Sequence, residues 1–356
     1  MLTAVECSRG SRLIGSTDAI TVVIPVIDDA GPLAALLADL QAQRGVTLQM
    51  IVADGGSRDD SPVLAQAGGA TVVSAAAGRG RQMNAGASAA RGEWLCFLHA
   101  DSRLTHPHQL KAAVDRLSSQ GDDRIAGHFP LRFIRQSAGR RRFYRFMEAK
   151  TATGRRYTVN GDQGLLLRRD FFEALGGFDT RLPFLEDQRM AAAIERHGRW
   201  CLLEHRLATA ARRFEREGER PRYLLMALIM AMYIVDVPAF FERASGLYAR
   251  QRDTRRLALT PYFDLLRALW RECGTRAALR VCWRIAGVAL GQSWQLFFAI
   301  DIAMAPLTGD RRHATRLHDR WLARVIHNRP VQALWMVVLL GVVFGPMQLW
   351  CRLLDR

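Results

Sequence analysis

The strongest constraint on this chain is an alternation of short β-branched runs with helical segments over its first hundred residues. Thr21 to Val26 is such a run, and Leu33, Leu36, Leu37 and Leu40 come next at helical spacing behind Gly31-Pro32. The pattern repeats: Leu48 to Ala53 and Thr71 to Ser74 read as strands, Arg81 to Ala90 as a helix and Trp94 to Leu98 as a fourth strand. Strands separated by helices pair in parallel, because each crossover returns the chain to the same end of the sheet. The expectation is an α/β fold, doubly wound and largely parallel, whose ligands bind beyond the carboxyl ends of the strands.

Farther on, a helix is expected over Gln109 to Ser118 and strands over Ile125 to Phe133 and Tyr157 to Leu167. Phe171 to Leu175 reads as a short helix stopped by Gly176-Gly177, and Asp187 to His197 as a helix starting after Pro183. The 356 residues suit one α/β domain plus an extension: residues 1–19 as an N-terminal extension, 20–220 as the main domain and 221–356 as a mainly helical, partly apolar C-terminal region.

Six segments at strand ends, loops or helix starts carry chemistry. Asp54 closes the second strand within Asp54-Gly55-Gly56-Ser57; its carboxylate can accept from a nucleobase N–H or a ribose hydroxyl, and an Asx turn explains it equally. Gly78 to Gly86 succeeds the third strand and opens a helix. Free N–H groups there, with Arg79, Arg81 and Asn84, suit a diphosphate, although an ordinary glycine-rich connection has the same composition. This loop matches neither the dinucleotide fingerprint nor the P-loop.

His99-Ala100-Asp101 ends the fourth strand, where Asp101 can give a hard oxygen ligand to Mg2+ or Mn2+ and His99 is either a further ligand or a hydrogen-bonded strand end. Glu186-Asp187 begins a later helix; the pair can cap it, or Asp187 can act as a general base with Glu186 in support. Gly161-Asp162-Gln163 lines an acceptor side or forms a polar turn. Arg212-Arg213-Phe214, on a strand end or loop, clamps phosphate or is a charged edge.

In this order the segments resemble the family 2 glycosyltransferases, whose catalytic domain has the GT-A fold. The resemblance implies that Asp54 binds the nucleotide base, that Asp101 is the second acid of a strand-end Asp-x-Asp, with His99 in place of the first, and that Asp187 is the catalytic base. Arg212-Arg213-Phe214 looks like a reduced Gln-x-x-Arg-Trp element, lacking the Gln and Trp of polymer-making members. Gly80 to Gly86, Leu98 to Asp101 and Gly161 to Gln163 are similar to a bacterial subgroup labelled arsenosugar biosynthesis glycosyltransferases. The reaction implied by the resemblance is an inverting single displacement on a nucleotide-sugar, UDP-type favoured, assisted by Mg2+ or Mn2+, towards a small or lipid-linked hydroxyl acceptor. The alternatives are a sugar-phosphate nucleotidyltransferase and a non-catalytic nucleotide-binding protein associated with membranes.

The net charge of +16 is concentrated late, with 19 basic against 9 acidic residues after position 220. The excess lies among apolar segments rather than in an aromatic-interleaved patch, which argues against nucleic acid. Ala333 to Met347 is wholly apolar, and 331–350 approaches the ~20 residues that span a bilayer; a docked C-terminal helix is the other reading. Arginines 311, 312, 316, 320, 324 and 329 precede it, which places the main domain on the cytoplasmic side. Tyr223 to Val235 and Ile285 to Ala305 read as buried or interfacial helices. The six cysteines lack Cys-x-x-Cys spacing, excluding a zinc or disulfide framework, and residues 1–19 lack the apolar stretch of a signal peptide.

Overall fold

The computed structural model describes residues 19–137, 141–181, 184–251, 256–309 and 311–355. The expected N-terminal extension, apart from its last residue, and Pro183 lie outside the described residues. The chain divides into two compact units, one of the described residues up to Arg132 with Thr151–Thr209, the other of Phe133–Lys150 with Ala210–Arg356. The boundary expected near 220 therefore falls at Ala210, and 133–150 leave the first unit as a second crossing of the chain.

The strands are β1 (Ala19–Val26), β2 (Thr47–Asp54), β3 (Thr71–Ser74), β4 (Trp94–Phe97), β5 (Ser102–Leu104), β6 (Ile125–His128), β7 (Leu131–Ile134), β8 (Leu165–Arg168), β9 (Arg199–Leu202) and β10 (Leu207–Ala210). A seven-stranded sheet has the order β3-β2-β1-β4-β8-β6-β9. Its first four strands are parallel, aligned so that Val26, Asp54 and Ser74 end together. β8 runs antiparallel to both β4 and β6, so the sheet is mixed rather than parallel throughout. β5 pairs antiparallel with β10.

β1 lies at the centre of the parallel half, and Ile20, Val22, Val23 and Ile24 are fully buried, as a continuous apolar run covered on both faces must be. The helices of this unit are α1 (Ala30–Gln41), α2 (Ser61–Ala67), α3 (Arg79–Ser88), α4 (Gln109–Ser118), then, after α5 (Arg141–Thr151) of the other unit, α6 (Arg169–Ala174) and α7 (Glu186–His197). Leu33, Leu36, Leu37 and Leu40 are the buried stripe of α1. α3 approaches β1 so closely that a Cβ on Gly86 would stand 2.4 Å from Val23 Cγ1, which only glycine permits.

Two expected strands change. Ile125 to Phe133 is split into β6 and β7 by Phe129-Pro130, since proline cannot donate to a ladder. Tyr157 to Leu167 is a strand only from Leu165; Tyr157 has φ 64° and Gly161–Gln163 forms a tight helical turn. Asn160 and Gln163 cap that turn reciprocally, which local polar bonding favours over extended pairing.

The second unit contains α5, then α8 (Arg212–Glu217), α9 (Glu219–Ile234), α10 (Pro238–Arg250), α11 (Thr260–Cys273), α12 (Thr275–Gly291), α13 (Trp294–Thr308), α14 (His313–Leu317), α15 (Ala323–Ile326), α16 (Arg329–Phe344) and α17 (Pro346–Leu354). Rings of Phe133, Phe143, Tyr144 and Phe214 pack edge to face or tilted, with centroids 5.2 to 6.4 Å apart. Thr275–Thr308 and Arg329–Leu353 are long and apolar enough to cross a membrane by length and composition. The first is interrupted at Gln292-Ser293, the second at Gly345.

Candidate active site

A cavity opens in the first unit beside the loops at the ends of β3 and β4. Arg79, His99, Asn160, Gly161, Glu186 and Asp187 give it polar character, and Phe97, Phe178, Met190 and Trp200 form its apolar walls. Phe97 meets Phe178 edge to face at 5.0 Å, so the wall is part of the buried core and is held rigidly.

Asp187 lies in the first turn of α7. Its Oδ2 accepts from Gly161 N–H at 2.8 Å and its Oδ1 from Gln188 N–H at 2.8 Å. Two backbone donors fix the carboxylate and leave it further lone-pair sites. The preceding Leu185 has φ 70° and ψ 23°, a left-handed conformation unusual for leucine, and it turns the chain into α7 so that Glu186 and Asp187 diverge.

Glu186 is buried, with Arg79 Nη1 3.4 Å from its Oε1 and no hydrogen bond to that oxygen. Burial raises its pKa above the usual carboxylate range; Arg79 opposes the rise and the neighbouring Asp187 adds to it. Glu186 thus supplies a charge partner for Arg79 at the cavity wall.

His99 Nδ1 lies 2.8 Å from Asp162 Oδ1. An ionised carboxylate only accepts, so Nδ1 carries the proton and His99 is held by Asp162. Its Nε2 faces Gly161, where an added Cβ would stand 3.1 Å away. With Nδ1–H given to Asp162, the ring keeps the Nε2 lone pair, an arrangement open both to metal ligation through Nε2 and to a purely positioning role. Among the described residues no three His, Cys, Asp or Glu side chains converge on a metal position. Asp101, half-buried in the turn between β4 and β5, is the remaining strand-end acid. One carboxylate suits a hard cation when phosphate oxygens and water complete its shell, so the donor set fits Mg2+ or Mn2+ brought with a diphosphate.

Asp54 makes the Asx turn that its sequence allows, accepting from Gly56 N–H at 3.1 Å and Ser57 N–H at 3.1 Å, with lone-pair capacity to spare. A Cβ on Gly55 would lie 2.6 Å from Ile27 Cγ1, so the backbone at this strand end is tightly packed. Gly78, at φ 132°, leads into α3, whose first-turn N–H groups and Arg79 keep the character of an anion site. Arg81 reaches back to Ala77 O at 3.2 Å.

Three expected contacts are redirected by packing. Asn84 exchanges two 2.8 Å bonds with the Phe178 backbone, so its amide holds the cavity wall. Gln163 is fully buried, donating to His128 Nδ1 at 2.8 Å and to Thr151 O at 3.1 Å; it is a core residue rather than an acceptor contact, whereas Asp162 beside it is exposed towards His99. Arg212 and Arg213, expected on a strand end or loop, open helix α8 of the second unit; Arg213 donates to Tyr248 Oη at 3.0 Å, and neither lines the cavity.

Sequence reasoning missed Gln82, which is buried and donates to both Val26 O and Ala53 O at 2.8 Å, tying together the carboxyl ends of β1 and β2. A glutamine among glycines in a strand-to-helix loop is the only local signal of that brace. Arg189, also unexpected, pairs with Asp179, which Arg181 and Arg189 hold well below the ordinary carboxylate range.

Residues 21–176, which lie for the most part in the first unit, match the Glycosyl transferase family 2 model. The match ends before Glu186. Over 107 residues the chain is 31% identical to the succinoglycan biosynthesis protein ExoO of Rhizobium meliloti (strain 1021), covering 29% of this chain and 30% of that protein. The chain therefore spans under a third of the curated relative it matches. Among solved structures it is similar to S. aureus TarS 1–349, at 13% identity and a TM-score of 0.47, covering 85% of this chain and 91% of the other. It is also similar to the mannosyltransferase PcManGT from Pyrobaculum calidifontis in complex with GDP-Man and Mn2+, at 17% identity and a TM-score of 0.45, covering 90% and 86%.

Proposed function

We propose that this chain is an inverting glycosyltransferase that moves a sugar from a nucleoside diphosphate donor, UDP-type favoured, to an acceptor hydroxyl. The observation that carries the reading is Asp187, fixed by Gly161 N–H inside a cavity that Arg79 and the start of α3 border on one side. Asp187 takes the proton of the acceptor hydroxyl; that oxygen bonds to the anomeric carbon as the bond to the diphosphate breaks, and the configuration inverts. Arg79 and the first-turn N–H groups of α3 receive the charge that collects on the leaving diphosphate, and Asp54 accepts from base or ribose. Asp101 would hold Mg2+ or Mn2+, which supplies further neutralisation of the diphosphate when bound.

Arg212-Arg213-Phe214 lacks the Gln and Trp of the polymer-making Gln-x-x-Arg-Trp element, which favours a single-addition enzyme. Its acceptor is a small or lipid-linked alcohol, and the apolar C-terminal helices attach it to the cytoplasmic membrane. A panel of UDP- and GDP-sugars with Mg2+ or Mn2+ tests the reading: release of nucleoside diphosphate that Asp187→Asn abolishes is expected. Pyrophosphate release from nucleoside triphosphate and sugar phosphate would overturn it in favour of nucleotidyl transfer.

A further inference from the structure

The second unit has a partly open apolar cavity of about 160 Å³ between α9, α11, α12 and α16, lined by residues such as Met232, Leu269, Val281, Ile285, Leu340 and Phe344. Such a lining offers water too few polar partners, and an apolar space near ~150 Å³ admits a small hydrocarbon group. One wall of this cavity is unusual. Helix α16 turns one apolar stripe inwards, Met336, Leu339, Leu340, Val343 and Phe344, and a second apolar stripe outwards. The outward stripe is Leu334, Val337, Val338 and Val342, with Leu334 66% and Val337 62% exposed.

A helix that is apolar on both sides suits neither a protein surface in water nor an ordinary core edge. Its surroundings indicate what covers it. Five exposed arginines between positions 311 and 324 precede α16 and exposed Arg329 opens it, with Asp319 the one acid among the described residues of that stretch. Trp321, 60% exposed, stands among them. Exposed arginines are attracted to an anionic lipid surface, and tryptophan favours the headgroup level.

We infer that the cavity of the second unit takes the end of one hydrocarbon chain of a membrane lipid, while the outward stripe of α16 sits in the acyl layer of an anionic membrane. The inference rests on the second unit alone, so it stands or falls separately from sugar transfer. Its substance is a binding site for a lipid chain, whether that lipid is the acceptor of the proposed reaction or a bystander.

The test uses the full chain with phosphatidylcholine vesicles containing phosphatidylglycerol that carries a photoactivatable group at one acyl terminus, and then peptide mass spectrometry. Labels are expected on the inward stripe and on α11 and α12 around Leu269 and Val281, as well as on the outward stripe. Ala278→Trp, at a buried cavity position, and Val281→Phe, a milder filling change, should lower inward labelling about tenfold, the loss of roughly two buried methylenes, while outward labelling persists. Either variant suffices if its circular dichroism and melting match the parent. Labelling confined to the outward stripe, inward labelling unchanged by both fillings, or a lipid-free dimer that shields α16 would each overturn the inference.

Discussion

The backbone N–H of Gly161 donates to Asp187 Oδ2 at 2.8 Å, so the turn that carries Asp162 also sets the carboxylate proposed as the base. Asparagine keeps an oxygen able to accept that bond but cannot take a proton. Asp187→Asn should lower nucleoside diphosphate release by a factor on the order of 10²–10⁴ while UDP still raises the melting temperature. Steady-state rates and thermal shift on one preparation decide it, and a rate within a few-fold of the parent excludes Asp187 as base.

Glu186 is a buried acid whose carboxyl ionises at higher pH in the folded chain than in the unfolded one. Folding stability linked to it is therefore largest at low pH and declines as pH rises from the ordinary value of 4.5 through the folded pKa. Glu186→Gln should raise the melting temperature at neutral pH by about 2 °C, and the gain should vanish in acid. A variant that melts lower at pH 7 would show that the pairing with Arg79 outweighs the burial cost.

Asp101 belongs to no group of three or more His, Cys, Asp or Glu side chains that could hold a metal ion among the described residues, so its proposed role is tested on this one side chain. Asp101→Ala should cost on the order of 10²-fold in rate and flatten the response to Mn2+ titration. Circular dichroism should be unchanged, because the residue lies half-buried in a turn. A variant that keeps the parent's metal response rules the assignment out.

Burial pushes the His128 imidazole down from 6.5 to about 4, and Gln163 donates to its Nδ1. The folded chain resists protonation that the unfolded chain accepts, so stability is full above pH 6.5 and falls as pH drops towards 4. The loss is on the order of 3 kcal/mol at most. Urea unfolding measured from pH 7 to 4 should show it, and His128→Phe should flatten that slope while lowering stability at pH 7, because Gln163 loses an acceptor. An unchanged slope would place the acid sensitivity elsewhere.

Leu185 adopts the left-handed conformation at the start of α7, which costs an L-residue about 1–2 kcal/mol. Glycine removes that strain and brings about 1 kcal/mol of extra unfolded-state entropy. Leu185→Gly should therefore change stability by less than about 1 kcal/mol in urea unfolding. A much larger loss would mean that the leucine side chain, rather than the backbone turn, holds α7 in place.

The sequence by itself determined the parallel half of the sheet, because β-branched runs and leucine spacing report burial that repeats locally, as the fully buried Ile20 to Ile24 and the Leu33–Leu40 stripe show. It also located Asp54, His99, Asp101 and Glu186-Asp187 at strand or helix ends, since such ends carry distinct residue types. Only tertiary structure decided what those side chains touch. Asn84 and Phe178 are 94 positions apart, His99 and Asp162 63, Gly161 and Asp187 26, and no local pattern records such partners. The same reason separates Gln163 from Asp162: adjacent polar residues in one tight turn point to opposite surroundings, and packing alone sends the first into the core and the second towards His99.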